Sequence, residues 1–285
     1  MESPLVLVQI TDSHLLADPE GCLLGLNTDY SLRGVIDDIK HREKQIDMLL
    51  ATGDIAQDGS AQAYQRFLQH VASIEAPLYG LPGNHDDRDN LQAVWQSRVE
   101  PVIDVENWRI ILLNSSVPGS NAGHLADTEL TLLKEAATQA RDRHVLVAVH
   151  HNPIPMGCGW LDSMTIDNGD ALIDCIGQLP NVRCLLWGHV HQEYDELHQY
   201  GPVSQDGTAG KERRSGRQHG AGHQLRLIAS PSTCVQFMPH STEFALDTTA
   251  PAYRWLKLHA NGDIDTGVQR LEGMLITPDQ NSEGY

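Results

Sequence analysis

Apolar residues fall in short runs broken by polar, glycine-containing turns, and stretches of helical spacing lie between them. Residues 5–11 form a compact Val/Leu/Ile run that predicts a buried strand. Helical spacing over 32–44 precedes a second strand at 46–52. A helix over 61–73 begins behind Ser60, a residue type that caps helices. A short strand at 77–81 stops at Pro82-Gly83. Strands at 108–114 and 144–150 enclose a helix over 127–141, and a helix over 170–178 leads into a strand at 182–187. The helices then cease: 225–229, 234–238, 253–259 and 264–269 read as strands. Strands alternating with helices, closed by a strand-rich part, predict a layered α/β domain. No internal repeat or linker divides it. Residues 201–222 stand apart, with six glycines, the basic residues Lys211, Arg213, Arg214 and Arg217, and almost nothing apolar. Such a composition cannot bury enough surface to order itself, so it predicts a flexible insert, a solvated loop rather than a nucleic-acid contact.

Composition narrows the picture. Of the 285 residues 40% are hydrophobic and 20% charged, enough for a sizeable core. The net charge of −18 argues against a general duplex-DNA binder and against an anionic membrane surface. No apolar run approaches the roughly 18 residues of a membrane span, and 5–10 is too short for a signal peptide. Five cysteines, odd in number and without a C-x-x-C, predict free thiols in a reducing cytoplasm. Fifteen histidines beside many carboxylates suggest metal.

The chemistry-bearing residues stand in five short motifs, each after a predicted strand: Asp12-Ser13-His14, Gly53-Asp54 through Gly59, Gly83-Asn84-His85-Asp86, His150-His151 and Gly188-His189-Val190-His191. Side chains two apart on an extended backbone share a side, so Asp12 with His14, or His189 with His191, can grip one ion. Each motif alone has an ordinary reading as a turn, a cap or satisfied histidines. One of His150 and His151 reads as a ligand with the other behind it, and Asp58 as a loop or cap residue. Together they occupy one sheet edge, where open α/β sheets bind ligands.

These five motifs resemble the ordered motifs of the calcineurin-like metallophosphoesterases. Residues 150–153 with 159–163, 186–192 and 230–237 are similar to the bacterial class III 3′,5′-cyclic AMP phosphodiesterases. The likeness spans 5–271, and the 201–222 insert departs from it. It implies a four-layer αββα sandwich of two mixed sheets flanked by helices, forming one domain over 1–271, with a mobile tail over 272–285. It implies two metal ions, Fe, Mn or Zn, since nitrogen and oxygen donors without thiolate favour these. Asp12, His14 and His191 would bind one ion, Asn84, His150 and His189 the other, and Asp54 would bridge them. A hydroxide held by the metals would attack the phosphorus of cyclic AMP. His85, oriented by Asp86, would protonate the leaving oxygen, and Asn84, His85 and His14 would contact the substrate. Apart from the resemblance, Asn114 and 121–125, with His124, follow a predicted strand on the same edge and are expected near the substrate.

The expected partner is thus a small cyclic nucleotide, with no nucleic acid and no membrane, for a cytoplasmic monomer or homodimer. Glycerophosphodiesters and 2′,3′-cyclic nucleotides are the alternative substrates, and an inactive scaffold or a nuclease is the weaker reading. No Gly-x-Ser-x-Gly elbow supports a serine hydrolase.

Overall fold

A computed structural model of the chain describes residues 3–200, 223–274 and Asp279. Its strands are β1 (Leu5–Ile10), β2 (Cys22–Leu23), β3 (Leu26–Asn27), β4 (Met48–Thr52), β5 (Leu78–Leu81), β6 (Val102–Val105), β7 (Trp108–Leu112), β8 (His144–Ala148), β9 (Val182–Trp187), β10 (Tyr194–Tyr200), β11 (His223–Ala229), β12 (Gln236–Phe237), β13 (Leu246–Asp247), β14 (Ala252–Leu258) and β15 (Ile264–Arg270). The helices are α1 (Thr28–Arg42), α2 (Ala61–Val71), α3 (Arg88–Trp95), α4 (Asp127–Gln139) and α5 (Gly169–Ile176).

Two mixed sheets carry the fold, one in the order β15-β14-β1-β4-β5 and the other β10-β11-β9-β8-β7-β6. In the five-stranded sheet β1, β4 and β5 run parallel and the antiparallel pair β14 and β15 extends one side; in the six-stranded sheet β11, β9, β8 and β7 run parallel and antiparallel β10 and β6 close both edges. The central strands read as unbroken apolar runs because both faces are covered. One core fills the space between the sheets, with Leu7, Leu50, Leu146, Leu186 and Leu256 among its members. A second lies under α1, α2 and α3, and a third under α4 and α5. The result is the expected αββα sandwich.

Ser60 caps α2 as its residue type predicts, accepting from Ala63 N–H at 3.3 Å. Helix α1 starts earlier than its apolar spacing indicated, because Asn27 caps it by accepting from Tyr30 N–H at 2.7 Å. Only two residues of the 234–238 run pair as a strand, with β13. All five cysteines are free. Among the described residues no helix is long and apolar enough to cross a membrane. The expected insert at 201–222 lies outside the described residues, as does most of the 272–285 tail.

Candidate metal centre

The site forms where the two sheets present the C-terminal ends of their parallel strands. Below it, buried Gln9 donates to Thr52 Oγ1 at 2.7 Å and accepts from Ser230 Oγ, which itself accepts from Arg254 Nε at 3.0 Å. This network fixes the two sheets against each other. Above it, the loops after β1 and β4 are zipped by Asp12 N–H to Gly53 O at 3.0 Å, His14 N–H to Asp54 O at 2.9 Å and Leu15 N–H to Ile55 O at 2.9 Å. The 230–237 segment crosses behind them, with Ser232 Oγ donating to Asp12 O at 2.7 Å and Thr233 N–H to Thr11 O at 3.0 Å. The chain folds this tightly because two positions carry no side chain. A Cβ on Gly83 would collide with the Asp54 carboxylate, and one on Gly188 would come within 2.8 Å of Asp12 Oδ2.

Asp12, His14, Asp54, His150, His189 and His191 are buried, whereas Asn84 and His85 keep partial access to solvent. Five of them, Asp12, His14, Asp54, His189 and His191, have φ between +46° and +63°, a backbone region L-residues seldom enter. These turns swing the donor atoms inward. His14 Nε2 lies 3.2 Å from His191 Nε2 and 3.9 Å from Asp54 Oδ2, and His191 Nε2 lies 3.4 Å from Asp12 Oδ1. His150 Nε2 lies 3.2 Å from Asp54 Oδ2 and 3.1 Å from Asn84 Oδ1. The buried His189 ring sits 5.1 Å from that of His150, and neither of its nitrogens has a hydrogen-bond partner.

The outer ring nitrogens explain this convergence. His14 Nδ1 meets Gln57 Oε1 at 2.6 Å, His150 Nδ1 meets Thr52 O at 2.8 Å and His191 Nδ1 meets Val235 O at 2.7 Å. An amide or peptide oxygen only accepts, so each Nδ1 carries the proton and each Nε2 is the inward-facing donor atom. Nitrogen lone pairs, two carboxylates and an amide oxygen packed this closely suit a shared cation. Four overlapping groups have the required spacing: Asp12-His14-His191, Asp12-Asp54-His150, His14-Asp54-His85 and His150-His151-His189. The donor set fits transition metal, without thiolate.

Electrostatics agree. Burial pushes the Asp54 carboxyl up, but His150, His85 and His14 together hold it well below the carboxylate range. Asp12 is likewise lowered against burial, mainly by His191. Burial holds the His14 and His151 imidazoles down at about 3, and it depresses His189 as well. His150 goes the other way despite burial, because Asp54 raises it to about 9.

One placement differs from the sequence reading. Asp86 was expected to orient the His85 imidazole. Instead its carboxylate accepts from the N–H groups of Gly83 (2.8 Å), Ala56 (2.9 Å) and Ile55 (3.2 Å) and from Tyr64 Oη–H (3.0 Å). It thus locks the Asp54 and Asn84 turns together. Burial and the Asp54 charge raise its carboxyl to about 6. The 121–125 segment does reach the site: a Cβ on Gly123 would collide with the His151 ring, and Ser115, whose carbonyl accepts from His124 N–H, bonds His151 Nδ1 at 2.8 Å, while the His124 side chain pairs with Asp167 at 2.6 Å. Asp58 orients a loop, accepting from Ala17 N–H at 2.7 Å. Gln57 was not singled out, although it stands within the Gly53–Gly59 motif.

Solved structures share this architecture. A dimetal phosphatase from Danio rerio superposes with a TM-score of 0.61 at 15% identity, covering 97% of this chain and 100% of the other. A purple acid phosphatase from yellow lupin gives 0.59 at 14%, covering 97% and 53%. In sequence the chain is 42% identical to the 3′,5′-cyclic adenosine monophosphate phosphodiesterase CpdA of Pseudomonas aeruginosa, over 100% of this chain and 96% of that protein. It is 32% identical to a 3′,5′-cyclic-nucleotide phosphodiesterase of Nostoc, over 94% and 93%. The model of the calcineurin-like phosphoesterase family matches residues 5–193, a span that contains every donor side chain described above. The edge-on cluster of carboxylates and imidazoles is therefore that of a hydrolase family with a dinuclear metal centre, and the chain belongs to the calcineurin-like phosphoesterases.

Proposed function

We propose that this enzyme hydrolyses 3′,5′-cyclic AMP to 5′-AMP. Asp12, His14 and His191 would hold one metal ion and Asn84, His150 and His189 the other, with Asp54 serving both. The reading rests on the convergence of these donors in a chain similar throughout its length to cyclic AMP phosphodiesterases. Two bound ions supply Lewis-acid charge to the phosphoryl oxygens and lower the pKa of water. Iron, manganese and zinc all suit the donors.

The chain's own residues do the remaining work. Asn84, His85 and His14 line the approach to the phosphodiester. His85 is held by its backbone N–H, which donates to Asp54 Oδ1 at 2.9 Å. Its half-buried ring stands edge-on to His14 at 5.2 Å, at the open side of the centre. From there it protonates the 3′ oxygen as that oxygen leaves phosphorus, giving the 5′-monophosphate. Asp86 acts through the turns it ties, as a positioning residue. Residues 1–271 work as one domain, since β15 is needed to complete the first sheet. The five free thiols favour the cytoplasm.

Turnover over a panel of phosphodiesters, on protein of measured metal content, tests this reading. The expected result is 5′-AMP from 3′,5′-cyclic AMP at the highest kcat/KM. Faster cleavage of glycerophosphodiesters or 2′,3′-cyclic nucleotides would overturn the substrate assignment. A fully metallated protein that turns over none of them would overturn the enzymatic one.

A further inference from the structure

The metal centre engages a phosphodiester but offers nothing to the purine that a cyclic nucleotide carries. A flat, uncharged heteroaromatic ring is recognised by stacking on aromatic side chains, with little hydrogen bonding required. Among the described residues an aromatic path leads from the centre to a partly exposed ring. Phe237, on β12, lies face to face with the candidate ligand His191, with ring centres 4.1 Å apart and planes at 14°. Trp160 packs edge-on against Phe237 at 4.9 Å and against Phe244 at 5.1 Å, and Phe237 and Phe244 are 5.9 Å apart. Phe237 is buried and Trp160 half-buried, but Phe244 is 41% exposed, and Met238, at the start of the same loop, is 40% exposed. These are two of four large hydrophobic residues exposed among the described residues.

This path is built rather than loose. Gly159 N–H donates to Ser241 O at 2.9 Å, and a Cβ on Gly159 would press within 3.1 Å of Thr242 O, so the Trp160 loop and the 238–245 loop pack backbone to backbone. The Asp162 carboxylate accepts from Met156 N–H at 2.6 Å and Gly157 N–H at 3.0 Å, which closes the turn before Trp160. Core packing explains Phe237. Phe244 continues the path as a 41% exposed ring two side chains from His191. Both segments, 159–163 and 230–237, were singled out in the sequence without acquiring a chemical task.

We propose that Trp160 and Phe244 form the face on which the nucleobase of the cyclic nucleotide stacks, with Phe237 as the buttress that ties this face to His191. The proposal rests on the nucleotide substrate assigned above.

The test compares cyclic AMP with 1-deoxyribose 3,5-cyclic phosphate, the same ring without its base. In Phe244→Ala the ratio of kcat/KM for cyclic AMP to that for the base-free ring should fall about tenfold, through KM, as expected for one lost stacking contact. Phe244→Tyr should restore it. Independently, AMP should quench tryptophan emission in the wild type, and Trp160→Phe should abolish the quench while retaining an aromatic ring. An unchanged ratio in Phe244→Ala, or AMP affinity indifferent to residue 244, overturns the proposal and assigns the exposed ring to another contact. If the wild type does not cleave cyclic AMP, the substrate assignment fails. The AMP titration then still decides the stacking face.

Discussion

The two sheets bring different chemistry to one edge. The five-stranded sheet supplies both carboxylates, Asp12 and Asp54, together with Asn84, His14 and His85. The six-stranded sheet supplies only imidazoles: His150, His151, His189 and His191. All the anionic charge that would hold cations thus comes from one side, and neutral nitrogen donors complete it from the other. The orienting partners differ too. His191 and His150 are fixed by peptide carbonyls of Val235 and Thr52, whereas His14 is fixed by a side chain, Gln57. One half is set by the fold itself, and the other keeps a part that mutation can reach.

The largest effect should come from removing the shared anion. Asp54→Ala should lose metal occupancy and activity together, and full occupancy of both ions by elemental analysis would refute the bridge. His85→Ala should retain both ions and lose about 10²–10⁴-fold in kcat, with wild-type turnover counting against a proton-donating role. Gln57→Leu should weaken metal affinity about 10–100-fold by freeing the His14 tautomer. A chelator titration that matches the wild type would mean that Gln57 is dispensable.

Stability against pH sharpens the comparison further. His14 and His151 have folded values of about 3, below the 6.5 of the unfolded chain, so the stability they contribute is present above 6.5 and is lost as pH falls toward 3. His150 is raised to about 9, so its contribution is complete below 6.5 and is lost as pH rises through 9. The Tm of the metal-free protein should therefore peak near neutrality. Metal bound at His150 would displace that ring's proton and should erase the alkaline decline. A decline of equal size in loaded protein would show that His150 is not displaced.

Much of this was legible in the chain. Glycine and polar residues after unbroken apolar strands marked the edge; the order of elements gave a layered α/β domain, and the αββα layering came from the family resemblance. What escaped has a common cause. Strand β10 (YDELHQY) is mostly exposed and carries no apolar alternation to reveal it. Helix α3 is a short element whose cap, Asp87, hid beside the Asn84–Asp86 motif. The role of Asp86 depends on Tyr64 and on backbone N–H groups thirty residues away in sequence, which no local pattern encodes. The outer partners of His150 and His151, Thr52 O and Ser115 Oγ, are again contacts made only by the fold.

The left-handed turns at Asp12, His14, Asp54, His189 and His191 bear on how the centre can be altered. Alanine at any of them removes the donor yet leaves a Cβ in the unfavourable region, so it mixes two effects. Glycine removes the donor and relaxes the backbone. His14→Gly should then melt higher than His14→Ala when both are metal-free. The fold thus gives up some of its own stability to aim these side chains, an exchange of robustness for reactivity that glycine replacement at each ligand would measure directly.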